Sequence, residues 1–405
     1  MKIPFSPPDL TDAEINEVVS ALKSGWITTG PKTKELEREV ASLCHTDKAV
    51  CLSSQTSCAE MALRLLGIGE GDEVIVPAYT YTASAEVVCH VGAKLVFIDS
   101  QPDSLEMDYD AVEKAITDKT KVIIPVDLGG IPCDYDRIFS IVEKKKSLFK
   151  PSNDIQSKFG RIIVCADTAH AFGSSWHGQP IGSVADFSAF SFHAVKNFTT
   201  AEGGALTWKP NDALNDEDLY KRVQLYSLHG QSKDALSKNQ LGSWEYDIIG
   251  PWYKCNMTDI HAAIGLAQMK RYPSLLKRRR EIIEKFDNAF KPLGIHTLPH
   301  FTDEHTSSGH LYLTRVFKKN GEPVSDEERR EIIIKMAERG ITTNVHYKPL
   351  PMMTGYKKLG FDIKDYPNAY AHYANEISLP LFSRLTDEEV DYIIDNYTDV
   401  IKEYI

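Results

Sequence analysis

Lys196 stands among residues that can turn a lysine into a nucleophile. It follows an apolar run at 187–192, where three phenylalanines favour a strand, and it precedes a Thr- and Gly-rich stretch at 199–204 that favours a tight turn. A lysine amine is nucleophilic near neutral pH only when its ammonium is partly desolvated or crowded by another cation. Most lysines are solvated surface charges, but this setting favours a Schiff base between Lys196 and an aldehyde cofactor.

A carboxylate ends another predicted strand upstream of this lysine. The apolar run 161–167 ends at Asp167, and a Thr-Ala-His-Ala stretch that contains His170 follows it. In parallel α/β sheets the carboxyl ends of the strands line the ligand crevice. We therefore expect Asp167 and Lys196 to end strands of one sheet and to face one site.

These two stretches resemble those of the DegT/DnrJ/EryC1/StrS family of nucleotide-sugar aminotransferases, which use pyridoxal 5'-phosphate (PLP) and its pyridoxamine form (PMP). The family pattern is Asp-x-Ala-His/Gln-Ala, followed later by Ser-Phe-His-Ala-x-Lys-Asn and a Thr- and Gly-rich turn. The chain carries these patterns at 167–171, 191–197 and 199–204. The resemblance extends over essentially the whole chain.

The resemblance implies the α/β fold of type I PLP-dependent aminotransferases. A large PLP-binding domain, residues 1–265, would hold a mostly parallel seven-stranded sheet and an N-terminal arm, and residues 266–405 would form a smaller C-terminal α+β domain. The residue pattern agrees, because predicted strands and helices alternate in the first part, as a parallel sheet requires. The pattern then changes near Tyr272.

The resemblance also implies roles around the cofactor ring. Lys196 would hold the cofactor and move protons during the reaction, and Asp167 would keep the pyridine nitrogen protonated so that the ring accepts electrons. His170 would support the ring rather than move protons. An aromatic side chain would stack on the ring, and by resemblance it is Tyr81, with Tyr79 as the alternative.

The cofactor phosphate would lie at the start of the helix that follows a short strand at 48–54. Helix N-termini expose amide groups and a positive dipole end, which favour phosphate. By resemblance Thr56 and Ser57 bind it, with Ser191, whereas Gln55 replaces the family's usual glycine or alanine. Without the other motifs, these residues would be an ordinary cap, and Ser57 and Glu60 would form a capping box.

A block at 251–263 resembles the family's Tyr-x-x-Asn-Met/Leu-Thr-Asp-Ile pattern. In the family this asparagine reaches the cofactor phosphate of the partner subunit. Asn256 therefore implies a homodimer with shared active sites. Thr258 and Asp259 would also cap the following helix, and both interpretations can hold.

Five positions are candidates for contact with the sugar, and each has a plain structural alternative. Thr28 and Thr29 lie in a turn that the family places near its substrate, but they could instead cap the next helix. His310, His346 and Tyr347 lie where the family lines its sugar site, although isolated histidines are more often structural.

Composition narrows the function classes. The 405 residues carry a formal net charge of −11, which disfavours non-specific nucleic-acid binding. The absence of a long apolar run or an N-terminal h-region predicts a cytoplasmic protein without membrane insertion. The seven cysteines show no Cys-x-x-Cys spacing, so we expect reduced, buried thiols and no metal site.

Three further segments have predictable environments. A capping box at Thr11 and Glu14 predicts a helix that buries apolar positions 15, 18, 19 and 22. The polar stretch 145–159 resembles a long surface loop. The basic run 277–280 is typical of a solvated helix face.

The function follows from the resemblance. A relative within the family replaces the lysine by histidine and dehydrates its substrate, so Lys196 favours amino transfer. We expect glutamate to aminate C4 of a UDP-linked 4-keto-6-deoxy-N-acetylhexosamine, for a bacterial surface polysaccharide such as capsule or lipopolysaccharide. A 3-keto or dTDP-linked sugar is the nearest alternative. A catalytically idle regulatory relative and an amino-acid lyase are the alternatives from other classes.

Overall fold

The computed structural model describes residues 1–210, 214–233 and 245–405. Its β-strands are β1 (Ala49–Leu52), β2 (Glu73–Pro77), β3 (Lys94–Ile98), β4 (Thr120–Ile123), β5 (Ile163–Asp167), β6 (Ser175–Trp176), β7 (Gln179–Pro180), β8 (Phe187–Ser191), β9 (Gly204–Trp208), β10 (His296–Thr297), β11 (His305–Thr306), β12 (Tyr312–Arg315) and β13 (Glu376–Leu379).

The α-helices pack around these strands. Within the described residues they are α1 (Asp12–Ser24), α2 (Pro31–Cys44), α3 (Gln55–Leu65), α4 (Ala83–His90), α5 (Tyr109–Ala115), α6 (Tyr135–Lys144), α7 (Asp154–Phe159), α8 (Asp216–Ser227), α9 (Asp259–Phe290), α10 (Asp326–Glu338), α11 (Thr354–Lys358), α12 (Pro367–Asn375) and α13 (Asp387–Ile401). None of the helices in these ranges is long and apolar enough to cross a membrane.

A seven-stranded sheet in the order β1-β9-β8-β5-β4-β2-β3 forms the centre of the molecule. Strand β9 runs antiparallel to both of its neighbours, and the other pairs are parallel. This confirms the mostly parallel α/β fold that the resemblance implied.

Both faces of the sheet are buried, which explains why its strands are continuous apolar runs. Alternate residues of β5 point to opposite sides, so Val164 and Ala166 pack in one hydrophobic core and Ile163 and Cys165 in the other. In β5 the first polar side chain is that of Asp167, the last residue of the strand.

A smaller three-stranded sheet, β10-β12-β13, has a separate core with α10, α13 and the second half of α9. Helix α9 contributes Leu275 to the large core and Ile282 to the small one. The domain boundary that we propose between residues 265 and 266 therefore falls inside a continuous helix. Ile3 packs in the small core and pairs with Ile341, so the N-terminal arm spans both regions.

The predicted buried face of α1 is wrong. The capping box of Thr11 and Glu14 is present, but Ile15 is 58% and Leu22 52% exposed. The helix packs on α9 through Ala21 and the buried Glu14, whose carboxylate accepts a hydrogen bond from Gln268. The buried side of this helix therefore carries a polar contact, which apolar periodicity does not detect.

The polar segment 145–159 is not simply a loop, because its second half forms α7. Asn153 caps this helix, and its side chain and that of Gln156 both donate hydrogen bonds to the carbonyl of Leu66, at the end of α3. The segment therefore supplies hydrogen-bond donors to a carbonyl group at the C-terminus of α3, where carbonyls have no partner within the helix.

The basic run 277–280 is not uniformly solvated. Arg279 is only 4% exposed, and its guanidinium donates to the carbonyls of Gly309 and Leu381. The cysteine prediction holds in part: all seven thiols are free, but Cys89 is exposed and Cys255 partly so.

Candidate active site

A cavity of about 370 Å³ opens at the carboxyl ends of β5 and β8. The last residues of these neighbouring parallel strands, Asp167 and Ser191, both reach it. Seven of the predicted site residues line it: Thr56, Tyr81, Asp167, His170, Ser191, Lys196 and Tyr347. Residues far apart in the chain thus meet where parallel strands end, as the sequence predicted.

Lys196 enters the cavity from the turn between β8 and β9. Its amide donates to the carbonyl of His193 at 2.9 Å, which fixes the turn. Burial lowers the pKa of the Lys196 amine to about 8, although the charge of Asp167 opposes this shift. With that pKa, about one amine in ten is unprotonated at pH 7, so Lys196 can act as a nucleophile or base.

Asp167 is buried beside this amine. One carboxylate oxygen accepts the hydroxyl proton of Ser84 at 2.7 Å, and the other accepts the amide of Ala169 at 3.1 Å. Burial raises the pKa of Asp167, whereas the two hydrogen bonds and the charge of Lys196 oppose that rise. The donors thus favour the ionised carboxylate in a poorly solvated place.

His170 is held as a neutral ring. The amide of Gly129 donates to its Nδ1 at 3.1 Å, so the ring proton belongs on Nε2, which lies 3.3 Å from the hydroxyl of Tyr347. Burial and the nearby Lys196 charge hold the pKa of His170 well below its usual value. His170 therefore fits a supporting role better than a proton-transfer role.

The two candidate tyrosines have different environments. The ring of Tyr81 is 59% exposed and belongs to the cavity wall, 5.8 Å from the ring of Tyr347. Tyr79 is buried in the core, where its hydroxyl donates to the carbonyl of His346 at 2.8 Å. Of the two, Tyr81 has the ring that a ligand in the cavity can reach.

The start of α3 forms the far end of the cavity. Ser54 is the N-cap, because its side chain accepts the amide of Ser57 at 3.0 Å, so the predicted capping box of Ser57 and Glu60 is wrong. Gly204 lies against this end: a Cβ on it would come within 2.6 Å of the Gln55 amide nitrogen. Only glycine allows β9 and α3 this close approach.

These features fit a ligand with a phosphate and an aromatic ring. Gln55 lines the cavity, and its side-chain Nε2 is buried without a hydrogen-bond partner among the residues that the structure describes. Next to it lie the first amides of α3 and the hydroxyl of Thr56, which suit a phosphate. Tyr81 offers an aromatic face, and Asp167 and Lys196 offer a carboxylate and an amine. The residues therefore fit PLP.

Several predicted site residues lie outside this cavity in the single chain, and their roles remain predictions. They are Thr28, Thr29, Ser57, Asn256, His310 and His346. His310 packs behind His170 with the ring centroids 4.3 Å apart. His346 contacts the hydroxyl of Ser378 at 2.8 Å through Nδ1.

Thr29 and Asn256 belong to a separate cluster at the start of α2. Asn256 donates to Thr29 Oγ1 at 2.5 Å, and Thr29 donates to the carbonyl of Met257. The helix itself is capped by the buried Asp259, which accepts the amides of Gly30 at 2.7 Å and Thr33 at 2.9 Å. The predicted capping by Asp259 thus serves α2, whereas Thr258 caps α9.

The sequence interpretation missed three polar residues at the site. Ser84 and Thr80 are buried hydroxyls, 2.9 Å apart, on the approach to α4. Asp127 lines the cavity and accepts the hydroxyl of Tyr135 at 2.9 Å, and burial raises its pKa to about 7. Asp127 follows the apolar run of β4 much as Asp167 ends β5, and that parallel is a signal that could have identified it.

Comparisons with known proteins agree with this geometry. A family model described as the DegT/DnrJ/EryC1/StrS aminotransferase family matches residues 8–398. The spore coat polysaccharide biosynthesis protein SpsC of Bacillus subtilis is 36% identical over 403 residues, which cover 99% of this chain and 97% of SpsC.

Solved structures extend the comparison. The PMP form of the putative sugar aminotransferase Spr1654 from Streptococcus pneumoniae is 59% identical with a TM-score of 0.96, and its PLP form 57% identical with a TM-score of 0.95, each over 100% of both chains. Helicobacter pylori PseC, an aminotransferase involved in the biosynthesis of pseudoaminic acid, is 26% identical with a TM-score of 0.86 over 100% of both chains. This chain belongs to the DegT/DnrJ/EryC1/StrS aminotransferase family.

Proposed function

We propose that this enzyme is a PLP-dependent aminotransferase that moves an amino group from glutamate to a nucleotide-linked keto-sugar. The observation that carries the proposal is the pairing, in one cavity, of a lysine with a pKa near 8 and a buried carboxylate. The PLP and PMP forms of the Streptococcus relative support the cofactor, because a transaminase alternates between those two forms.

The residues of the cavity, together with Ser57 next to them in α3, would divide the work. When bound, the cofactor supplies an electron-accepting ring that carries the amino group between the two substrates. The carboxylate of Asp167 would face the ring nitrogen, and Tyr81 would lie against the ring. The Lys196 amine would move a proton from the α-carbon of the donor to C4' of the cofactor, as general acid–base catalysis requires. Thr56, Ser57, Ser191 and Gln55 would hold the phosphate.

The favoured acceptor is a UDP-linked 4-keto-6-deoxy-N-acetylhexosamine, aminated at C4. The similarity to SpsC, whose name assigns it to spore coat polysaccharide biosynthesis, and to PseC supports an amino sugar destined for a bacterial surface polysaccharide. A 3-keto or dTDP-linked sugar is the alternative. Thr28, Thr29, His310, His346 and Tyr347 remain the candidates for sugar contact, and only Tyr347 lines the cavity in the single chain.

We also propose a cytoplasmic homodimer with shared active sites. Asn256 supports this arrangement, because it lies outside the cavity of its own chain, as a residue that serves the partner's site would. A catalytically idle relative is disfavoured, since a binding protein has no need to bury a lysine amine at the cost of its charge.

Absorbance spectroscopy tests the proposal. The purified protein supplied with PLP should absorb near roughly 410–420 nm, the usual band of lysine-bound PLP, and glutamate should bleach that band. The band should be missing, or should not respond to glutamate, in Lys196→Ala. A folded wild-type protein that never gains the band would contradict the proposal.

A panel of nucleotide sugars then identifies the acceptor. The PMP-loaded enzyme should regain the band when the correct keto-sugar is added, because the amino group leaves the cofactor. UDP-linked 4-keto-6-deoxy-N-acetylhexosamine should restore it faster than the 3-keto or dTDP-linked sugars. The opposite ranking would move the assignment to the alternative.

A further inference from the structure

We propose that Ser84 and Thr80 are positioning residues that hold Asp167 as an oriented carboxylate. The inference deepens the proposed function and rests on it, because Asp167 is the group expected to face the cofactor ring. Ser84 lies in the first turn of α4 and donates its hydroxyl proton to Asp167 Oδ2 at 2.7 Å. It does not line the main cavity, so it would act through Asp167.

The two hydroxyls form a directed chain. Thr80 Oγ1 lies 2.9 Å from Ser84 Oγ, and either atom could donate in isolation. Because the single proton of Ser84 points to Asp167, Thr80 must supply the proton of the other bond. Hydrogen bonds arranged donor to acceptor in this way polarise one another, so Thr80 strengthens the donation from Ser84 to the carboxylate.

Burial makes this donation valuable. Ser84 is 0% and Thr80 1% exposed, and Asp167 is 5% exposed, so the hydrogen bonds between these side chains are shielded from bulk water. A hydrogen bond to a charged group is stronger than one between neutral groups, especially away from water. Ser84 thus opposes the rise that burial causes in the pKa of Asp167, and its hydrogen bond fixes the position of Oδ2.

Other charges around Asp167 do not make Ser84 redundant. Lys196 favours the ionised carboxylate, but its amine is itself partly neutral near pH 8. Among the described residues, Asp127 and the hydroxyls of Tyr135 and Tyr347 also interact electrostatically with Asp167, and none of these three brings a positive charge. Ser84 and the amide of Ala169 are therefore the donors that keep the charge on Asp167 when Lys196 is neutral.

The direct test is a pH titration of Asp167 in the apo-protein. Carbon-detected NMR of ¹³C-labelled aspartate carboxyls follows each group, and Asp167→Asn identifies the signal. Ser84→Ala should raise the pKa of Asp167 by about one to two units, since it removes one charge-assisted hydrogen bond. Thr80→Val should raise it by less, and Ser84→Thr, which keeps a hydroxyl, should restore the wild-type value.

Ser188 provides a matched control. This serine is 0% exposed in β8, beside β5, but its hydroxyl meets no hydrogen-bond partner within residues 1–210, 214–233 and 245–405. Ser188→Ala therefore removes a buried hydroxyl without touching Asp167, and it should leave the titration unchanged. An unchanged pKa in Ser84→Ala, or an equal shift in Ser188→Ala, would overturn the proposal.

PLP binding to the apo-protein provides a second test. Ser84→Ala should weaken PLP binding to the apo-protein by about tenfold, which corresponds to one such hydrogen bond, and Ser84→Thr should rescue it. If the wild type binds no PLP, the proposed function fails, but the apo-protein titration still decides whether Ser84 controls Asp167. If PLP binds and Ser84→Ala changes neither reading, only the present inference fails.

Discussion

At the residue scale, the site depends on an amine that is kept partly neutral. Lys196 owes its lowered pKa to burial, whereas Asp167 acts in the opposite direction. The carboxylate thus opposes part of the effect of burial on the pKa of Lys196. With a pKa of about 8, the amine has both its protonated and its neutral form near neutral pH. Such a balance suits a group that must both attack and transfer protons.

We predict that the Lys196 amine in the apo-protein titrates near pH 8. After reductive ¹³C-methylation, the NMR signal of Lys196 should shift around that pH, while the surface lysines should titrate above 10. Lys196→Ala identifies the signal. Asp167→Asn should lower the titration further, because the opposing charge is lost; a signal that titrates with the surface lysines would contradict the assignment.

A second buried ionisable group supports the cavity from the small domain. Glu376 is 0% exposed; it accepts the amide of His346 at 2.7 Å and the hydroxyl of Ser378. Burial raises the pKa of Glu376 from 4.5 to about 8. In the folded protein the Glu376 carboxyl is therefore mostly protonated at neutral pH. It bonds to the backbone of His346, the residue before Tyr347, which lines the cavity.

The raised pKa of Glu376 predicts how stability depends on pH. Its contribution is fully present below the unfolded pKa of 4.5 and is lost as the pH rises through the folded pKa of about 8. Glu376→Gln removes this loss, so the free energy of unfolding should fall less steeply with pH in the variant, by up to about 1.4 kcal/mol per pH unit. Urea unfolding at pH 5 and pH 8 measures the difference. Parallel pH profiles would show that Glu376 does not hold this proton.

At the scale of elements, the cavity exists because β9 and α3 approach closely. The register pairs Gly204 with both Leu52 and Ser191, so this glycine lies between the strand before α3 and the strand before Lys196. A methyl group there would meet backbone atoms on two sides, and backbone cannot move aside as a flexible side chain can.

We predict that Gly204→Ala destabilises the protein by about 1–3 kcal/mol and weakens PLP binding, because it displaces the start of α3. Gly355→Ala is the matched control: apart from its chain neighbours and its own helix backbone, no atom of the described residues lies within 4 Å of the added methyl group. Its position in α11 also favours alanine, so the change should be neutral or slightly stabilising. Urea unfolding and PLP titration measure both effects. Equal behaviour of the two variants would contradict the packing argument.

At the scale of the whole molecule, the single chain leaves its site without one predicted contributor. Asn256 lies beside Thr29 at the start of α2, outside the cavity that holds Lys196. If the subunits share active sites, Asn256 and Lys196 of one chain serve different sites of the dimer.

Mixing two inactive variants tests this arrangement. Lys196→Ala and Asn256→Ala should each have little activity alone. In a mixed dimer both changes fall in one site and the other site is intact, so unfolding and refolding the mixture should restore activity. Subunits that complete their own sites would regain none, because every site would then carry one of the two changes. Lys196→Ala that is unfolded and refolded alone is the control, and it should stay inactive.

Much of the site follows from local sequence. Asp167 and Lys196 could be placed together because buried parallel strands are long apolar runs whose carboxyl ends meet at one edge of the sheet, whereas Ser191 was assigned by the family resemblance. The helix caps at Thr11, Ser325 and Thr386 are likewise local patterns that the structure contains. In these cases the residues that decide the outcome lie within a few positions of one another.

Only the tertiary structure decided contacts between distant residues. Asp259 caps a helix more than 200 residues earlier, Ser84 reaches Asp167 from another element, and Glu14 is buried on α1 against Gln268. A hydroxyl or carboxylate can bond to any partner within about 3 Å, so its sequence neighbours do not reveal that partner. Apolar periodicity records burial, whereas polar pairing is specific to position in space. The sequence therefore predicted the parallel strands and the placement of Lys196 near Asp167, but not the hydrogen-bond donors that Asp167 meets.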